Sequence, residues 1–150
     1  RREPLLLPLM TTRASLTRRV TFSAAHRYRR PEWDDAQNEA AFGACARPNY
    51  HGHTYVCAVP VSGAVDPLTG FCADLGALDR VLRTHVVDAL DHRNLVLDVP
   101  AFAEGRLIPS SENLAWWIAR EVQQALGALP RVSRVRVAEE PGLWAEVEPA

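Results

Sequence analysis

The stretch His51-Gly52-His53-Thr54-Tyr55-Val56-Cys57-Ala58-Val59-Pro60-Val61 decides the fold and points toward the chemistry. Its apolar residues alternate from Tyr55 to Val61, as expected of a strand with one buried face, because successive side chains of extended chain point to opposite sides. The same period puts His51 and His53 on one face, where both imidazoles can grip a single metal ion. Gly52 between them lets the backbone come close to whatever lies opposite.

Leu16 to Ala25 is rich in Val, Thr and Phe, with Val20, Phe22 and Ala24 on one parity, and reads as a strand that delivers His26 at its end. Arg29 to Asn49, with Pro31, Pro48 and a short helical pattern from Asp34 to Phe42, reads as a long excursion before the second strand, Thr54 to Val65. Pro60 cannot donate a ladder hydrogen bond, so an edge position or a bulge is expected there. Asp66-Pro67-Leu68-Thr69-Gly70 is a turn, and Phe71 and Cys72 are expected to return as a short strand.

Asp74 is a natural N-cap, and Leu75, Leu78, Leu82, Val86 and Ala89 recur at helical spacing after it. A second helix should start near Ser110 or Ser111, its stripe made by Leu114, Trp117, Ile118, Val122, Ala125 and Leu126. Trp116 lies off that stripe, a hint of a subunit contact. Val132 to Glu148 reads as a hairpin turning at Glu140-Pro141-Gly142. The order strand, strand, helix, helix, strand, strand indicates an α+β domain with an antiparallel sheet carrying helices on one face.

With 150 residues, 47% apolar and 23% charged, the composition suits one globular domain. The 17 basic and 18 acidic side chains nearly cancel, so nothing marks a partner among nucleic acids or anionic membranes, and a small-molecule partner is expected. Cys45, Cys57 and Cys72 are an odd set without Cys-x-x-Cys spacing, which fits a reducing cytoplasm. Leu5 to Met10 is short, contains Pro8 and lacks a cleavage site, so it reads as neither membrane helix nor signal peptide. Residues 1–15 are expected to be a flexible, appended or processed tail, with Met10 a candidate natural start, and 16–150 the domain.

Neutral imidazole suits Zn²⁺, and a catalytic zinc typically keeps three protein ligands and one open position. His26, His51 and His53 make such a set. Cys45 reads equally as a fourth ligand, an inert core residue or a catalytic thiol. In Asp91-His92 an aspartate stands ready to fix an imidazole's tautomer and raise its basicity, though the pair also reads as an ordinary helix-end loop. Glu139 continues the parity of Val135 and Val137, so a carboxylate extends a buried face and needs a partner with N–H groups. His85 beside an apolar stripe reads as structural.

Phe22-Ser23-Ala24-Ala25-His26, Phe42-Gly43-Ala44-Cys45, His51-Gly52-His53-Thr54-Tyr55, Asp66-Pro67-Leu68-Thr69-Gly70, Leu90-Asp91-His92-Arg93-Asn94-Leu95 and Ser111-Glu112-Asn113 together resemble the 6-pyruvoyltetrahydropterin synthase family, from about Val20 to Val147. The resemblance implies a tunnelling fold (T-fold): a four-stranded antiparallel sheet with two helices on one face, trimers closing a barrel, and a homohexamer with active sites between subunits. It also implies that His26, His51 and His53 bind Zn²⁺, that Cys45 is the catalytic base, and that Asp91 and His92 of a neighbouring subunit complete the proton transfer. Glu139 would anchor the pterin, Ser111 and Glu112 would join it in binding substrate, and Arg27, Arg47 and Arg93 are candidates for holding a triphosphate.

The implied enzyme is a lyase of tetrahydrobiopterin biosynthesis that converts 7,8-dihydroneopterin triphosphate to 6-pyruvoyltetrahydropterin. The family's second branch, 6-carboxytetrahydropterin synthase of queuosine biosynthesis, cleaves the side chain and releases acetaldehyde. Five residues between Cys45 and His51, and the run from Asp91 to Pro100, resemble the pyruvoyl branch. Tyr50 stands where that branch commonly has glycine, Thr54 where asparagine is common, and Ser110-Ser111 where threonines are common. A noncatalytic, zinc-stabilised pterin-binding module with Cys45 as fourth ligand is the competing reading.

Overall fold

β1 (Arg13–His26) and β2 (His51–Ala64) pair antiparallel along their whole length, from Arg13 opposite Ala64 to His26 opposite His51. This frame belongs to a computed structural model that describes residues 12–149. The run from Leu5 to Met10, Met10 itself and most of the expected tail lie outside the described residues. β1 begins at Arg13, three residues before the expected strand, because β2 extends far enough to pair with it.

The sheet order is β3 (Arg93–Asn94), β1, β2, β5 (Val135–Glu140), β6 (Leu143–Val147), with β4 (Arg131–Val132) also pairing β2. Four long antiparallel strands therefore form the sheet, as expected, and the expected terminal hairpin turns at Pro141 and Gly142. The two-residue β3 adds a parallel pairing to β1 at Ala24 and Ala25 that no sequence period announced. Pro60 is not on an edge strand. It lies in central β2 where the partner changes from β5 to β4, so its missing N–H falls in an interruption of the ladder. Phe71 and Cys72 form no strand; the Asp66 N–H reaches the Phe71 carbonyl and closes a turn instead.

α1 (Asp35–Phe42) sits in the excursion, capped by Asp34, whose side chain accepts from the Gln37 N–H. Buried Asn38 ties that excursion together by accepting from the Arg30 N–H and donating to the carbonyls of Arg30, Trp33 and Asp34. α2 (Leu75–Leu82) starts at Asp74 and runs through a π-helical turn, Arg83–Val87, into α3 (Asp88–Leu90). Leu78, Leu82, Val86 and Leu90 are buried, whereas Leu75 at the first turn stays exposed. α4 (Leu95–Asp98) is a short turn capped by Asn94.

α5 (Ser111–Leu126) is capped by Ser110 and buries Leu114, Ala115, Ile118, Ala119 and Val122. Ala125 is exposed rather than part of the stripe, since the small residues Ala115 and Ala119 let the helix settle with that side against the sheet. Trp116 is 38% exposed, with the Arg120 guanidinium 4.8 Å above its ring. These helices and Phe22, Tyr55, Cys57, Val59, Val61, Val135 and Val137 of the sheet form one core. None of the described helices is long and apolar enough to cross a membrane.

Gly63 is a point where the frame admits only hydrogen: a Cβ there would stand 2.3 Å from the Cys72 carbonyl oxygen. Gly63→Ala is expected to lower unfolding stability by about 1–3 kcal/mol in urea titration, because the turn behind β2 must move to admit the methyl.

Candidate active site

The β1–β2 register builds the centre of the site. His26 faces His51, Ala24 faces His53, and Phe22 faces Tyr55, so the three imidazoles and the phenol lie on the core side of two neighbouring strands. Ring centroids are 4.6 Å apart for His26 and His51, 5.0 Å for His26 and His53, and 5.1 Å for His51 and His53. Gly52 permits this closeness, since a Cβ there would meet the Ala24 carbonyl oxygen at 3.0 Å.

The ring nitrogens of this cluster face one another. His26 Nε2 and His51 Nε2 stand 2.9 Å apart, and His53 Nε2 is buried with no hydrogen-bond partner among the described residues. Imidazole nitrogens turned toward one another, one of them buried without a partner, are the donor set a divalent cation of zinc's softness takes. The other nitrogen of His26, Nδ1, meets the buried Tyr55 hydroxyl at 2.9 Å, the outer contact that fixes a ligating imidazole's orientation. The alternating pattern alone places Tyr55 in the core; its position two residues after His53 on the same face is the signal for this second role.

Within each of two sets, His26 with Cys45 and His51, and His26 with His53 and Glu139, the potential ligand atoms all lie within 4.8 Å of one another; among the described residues the expected trio His26, His51 and His53 is not itself such a set. His26 is common to both. Burial, then the neighbouring charges of His51 and His53, pushes His26 down to about 4, and burial also lowers His51. The uncharged imidazole is the form that binds metal.

Cys45 arrives through the excursion, where the Tyr28 N–H holds the Cys45 carbonyl at 2.8 Å and the Cys45 Sγ sits 3.8 Å from His51 Nε2. Burial, then the Glu139 carboxylate, raises this thiol above its ordinary range. Glu139 occupies an irregularity of the β5–β6 ladder: Ala138 pairs Trp144 but Glu140 pairs Leu143, leaving Glu139 as the extra residue. Such a bulge re-aims a side chain. The Ser111 hydroxyl donates to Glu139 Oε2 at 3.0 Å, and both line a cleft of about 510 Å³ with Tyr28, Phe42, Glu112 and Leu143.

Asp91 and His92 form a dyad outside the histidine cluster. Asp91 Oδ1 accepts from the Ser23 N–H at 2.7 Å, its Oδ2 lies 2.9 Å from His92 Nδ1, and the His92 N–H reaches the Ser23 carbonyl. Those bonds, that from Ser23 foremost, hold the Asp91 carboxyl below its usual range. The His92 side chain is 85% exposed and presents Nε2 to the outside. Of the candidate arginines, Arg27 gives Nε to the Ala46 carbonyl, whereas Arg47 is exposed and Arg93 borders the open cleft beside His92. His85 is half-buried in the π-helical turn, away from these groups.

Comparison with known proteins adds an independent line. The family model described as 6-pyruvoyl tetrahydropterin synthase matches residues 15–150. The human 6-pyruvoyl tetrahydrobiopterin synthase is 39% identical over 113 residues, 75% of this chain and 77% of that protein. The Drosophila melanogaster protein of the same name is 38% identical over 129 residues, 85% of this chain and 75% of that one. The solved 6-pyruvoyl tetrahydropterin synthase of Caenorhabditis elegans superposes with a TM-score of 0.86 at 32% identity, covering 93% of this chain and 97% of that chain. The T-fold expected for the chain is thereby matched.

For metal-free protein, a His26 pKa depressed to about 4 means that the unfolded chain binds the extra proton first as pH falls. Stability is therefore expected to drop between about pH 6.5 and pH 4, by up to about 1.4 kcal/mol per pH unit. Urea titrations of chelator-treated protein check this, and His26→Gln should flatten the slope in that window.

Proposed function

Because the chain belongs to the 6-pyruvoyl tetrahydropterin synthase family, we propose that it converts 7,8-dihydroneopterin triphosphate to 6-pyruvoyltetrahydropterin with elimination of triphosphate. The observation that carries this reading is the convergence of His26, His51 and His53 with Cys45 on one side and Glu139 on the other. That arrangement offers a metal-binding donor set, a thiol for carbon acid chemistry and a carboxylate for a flat, hydrogen-bonding ring.

His26, His51 and His53 hold a zinc ion in this reading. When bound, it supplies Lewis acidity that polarises the substrate's side-chain oxygens and acidifies the protons on the adjoining carbons. Glu139 accepts from the pterin 2-amino and ring N–H groups, and the Ser111 hydroxyl keeps the carboxylate oriented for them. The aromatic rings of Tyr28 and Phe42 border the same cleft and exclude water from the ring.

Cys45, in its thiolate form, removes a carbon-bound proton from the side chain lying over the histidines. His92 moves the second proton, with Asp91 fixing its Nδ1 and leaving Nε2 as the transferring atom. His92 faces outward from its own chain, and in the homohexamer of two trimers that the family resemblance implies it would serve the site of a neighbouring subunit, so that active sites lie at subunit interfaces.

Anaerobic incubation of zinc-loaded protein with 7,8-dihydroneopterin triphosphate, followed by chromatography, is expected to yield 6-pyruvoyltetrahydropterin and triphosphate. Acetaldehyde among the products overturns this in favour of side-chain cleavage, and absence of any triphosphate release overturns the substrate itself. Cys45→Ala is expected to keep its metal by atomic emission while turnover falls on the order of 10²–10⁴-fold, whereas loss of metal would support the noncatalytic module. Mixed assemblies of inactive Cys45→Ala and His92→Ala chains should regain activity, because some interfaces then pair an intact thiol with an intact dyad.

A further inference from the structure

Two phenols stand at the histidine cluster, and their hydroxyls are placed differently. Tyr55 is fully buried, with its hydroxyl on His26 Nδ1 at 2.9 Å. Tyr28, two residues beyond His26, is half-buried, its ring centroid 4.7 Å from that of His26 and 5.9 Å from that of Phe42. Its hydroxyl makes no hydrogen bond to any other of the described residues.

Three observations locate this side chain. The Tyr28 N–H holds the Cys45 carbonyl at 2.8 Å, which pins the residue to the loop that carries the thiol. The side chain lines the same cleft as Ser111, Glu112 and Glu139. Burial foremost, then the fields of Glu139, Tyr55, Cys45 and Glu112, push the ionisation of this phenol up, so those four groups surround it. Tyr28 therefore borders the carboxylate, the thiol and the histidines at once. A phenol is an O–H donor at every pH near neutrality, and one that faces a cleft without a protein partner is satisfied by water or by what enters the cleft.

The covalent structure of a pterin says which acceptor arrives there. With Glu139 accepting from the 2-amino and N3–H groups, and the C6 side chain lying over the histidines, the edge that joins those two ends carries the 4-carbonyl and N5. Both are acceptors, and N5 is the one bonded to C6. In a 7,8-dihydropterin N5 is doubly bonded to C6, so the protons on the first side-chain carbon are acidic to the extent that N5 can take up charge. A donor fixed at N5 stabilises that charge as it develops.

We propose that the Tyr28 hydroxyl donates a hydrogen bond to N5 of the pterin and is a further catalytic residue of the site. As the Cys45 thiolate takes the proton from the first side-chain carbon, the C–H electron pair becomes a double bond to C6. The C6–N5 π pair moves onto N5, where the Tyr28 O–H holds it, and Tyr28 keeps its own proton throughout. This rests on the substrate being a pterin.

Fluorescence titration of zinc-loaded protein with neopterin and with its 5-deaza analogue, in which C–H replaces N5, tests the contact. Wild-type protein is expected to bind neopterin about tenfold or more tighter than the analogue, and Tyr28→Phe to bind the two within about threefold of each other. The phenylalanine ring keeps the packing on His26 and Phe42, so zinc content and Tm are expected to be unchanged. In the same variant kcat on 7,8-dihydroneopterin triphosphate is expected to fall about tenfold or more, a loss that packing alone does not produce. A preference for neopterin that survives Tyr28→Phe, or is absent from wild-type protein, overturns the contact with N5 and leaves the pterin substrate standing. A kcat within twofold of wild type overturns the catalytic role. If wild-type protein neither binds neopterin nor turns over the triphosphate, the pterin reading and this inference fall together.

Discussion

The register of the β1–β2 ladder is the constraint on which the site depends. With His26 directly opposite His51 and Ala24 opposite His53, three imidazoles fall on one face of two strands. A slip of one residue would turn a whole strand's set to the other face, and a slip of two would carry His51 past the end of its partner. Fourteen consecutive pairs, the stacking of Phe22 on Tyr55 at 5.0 Å, the tight fit at Gly52 and the room left only for hydrogen at Gly63 oppose such slips. The core beneath, from Cys57 to Val61 against α2 and α5, anchors the same register at a distance from the chemistry.

Burying imidazoles costs stability, and the chain accepts that cost where it is useful. His26 is fully buried and held neutral, and His53 Nε2 has no partner among the described residues. Local strain and unsatisfied groups of this kind persist only where the surrounding packing enforces them, and they concentrate at functional positions. Tyr55 illustrates the coupling: its ring packs in the core while its hydroxyl orients His26. One side chain thus belongs to both the stability of the sheet and the geometry of the site.

The remaining groups reach the cluster by three different backbone devices. A loop ordered by Asn38 and by the Tyr28 to Cys45 hydrogen bond brings the thiol. A bulge in the β5–β6 ladder turns the Glu139 carboxylate, which α5 then steadies through Ser111. Asp91 and His92, by contrast, cap the backbone of Ser23 and aim outward, with His92 at a φ of 57°. Rigid strands fix the imidazoles, while the groups proposed to move protons sit on turns, a division that lets positions be tuned without disturbing the sheet.

Much of this was legible in the chain. The two-residue period of Tyr55 to Val61, the Asp74 and Ser110 caps, the helical recurrence of Leu78, Leu82 and Val86 and the turn at Pro141-Gly142 all express local covalent geometry, and each has its counterpart in the structure. Local pattern failed where a distant partner decides the outcome. Pro60 occupies a central strand because β5 gives way to β4 beside it, Phe71 and Cys72 close a turn, and Ala125 faces solvent because Ala115 and Ala119 pack better. By itself the sequence determined which face each strand and helix buries and that His51 and His53 share one. Only the tertiary structure decided that His26 lies across from His51, that Tyr55 holds His26, that the Glu139 bulge and Cys45 converge there, and that His92 does not. The physical reason is that periodicity is written in neighbouring residues, whereas register, loop closure and bulge placement are settled by contacts between residues far apart in the chain.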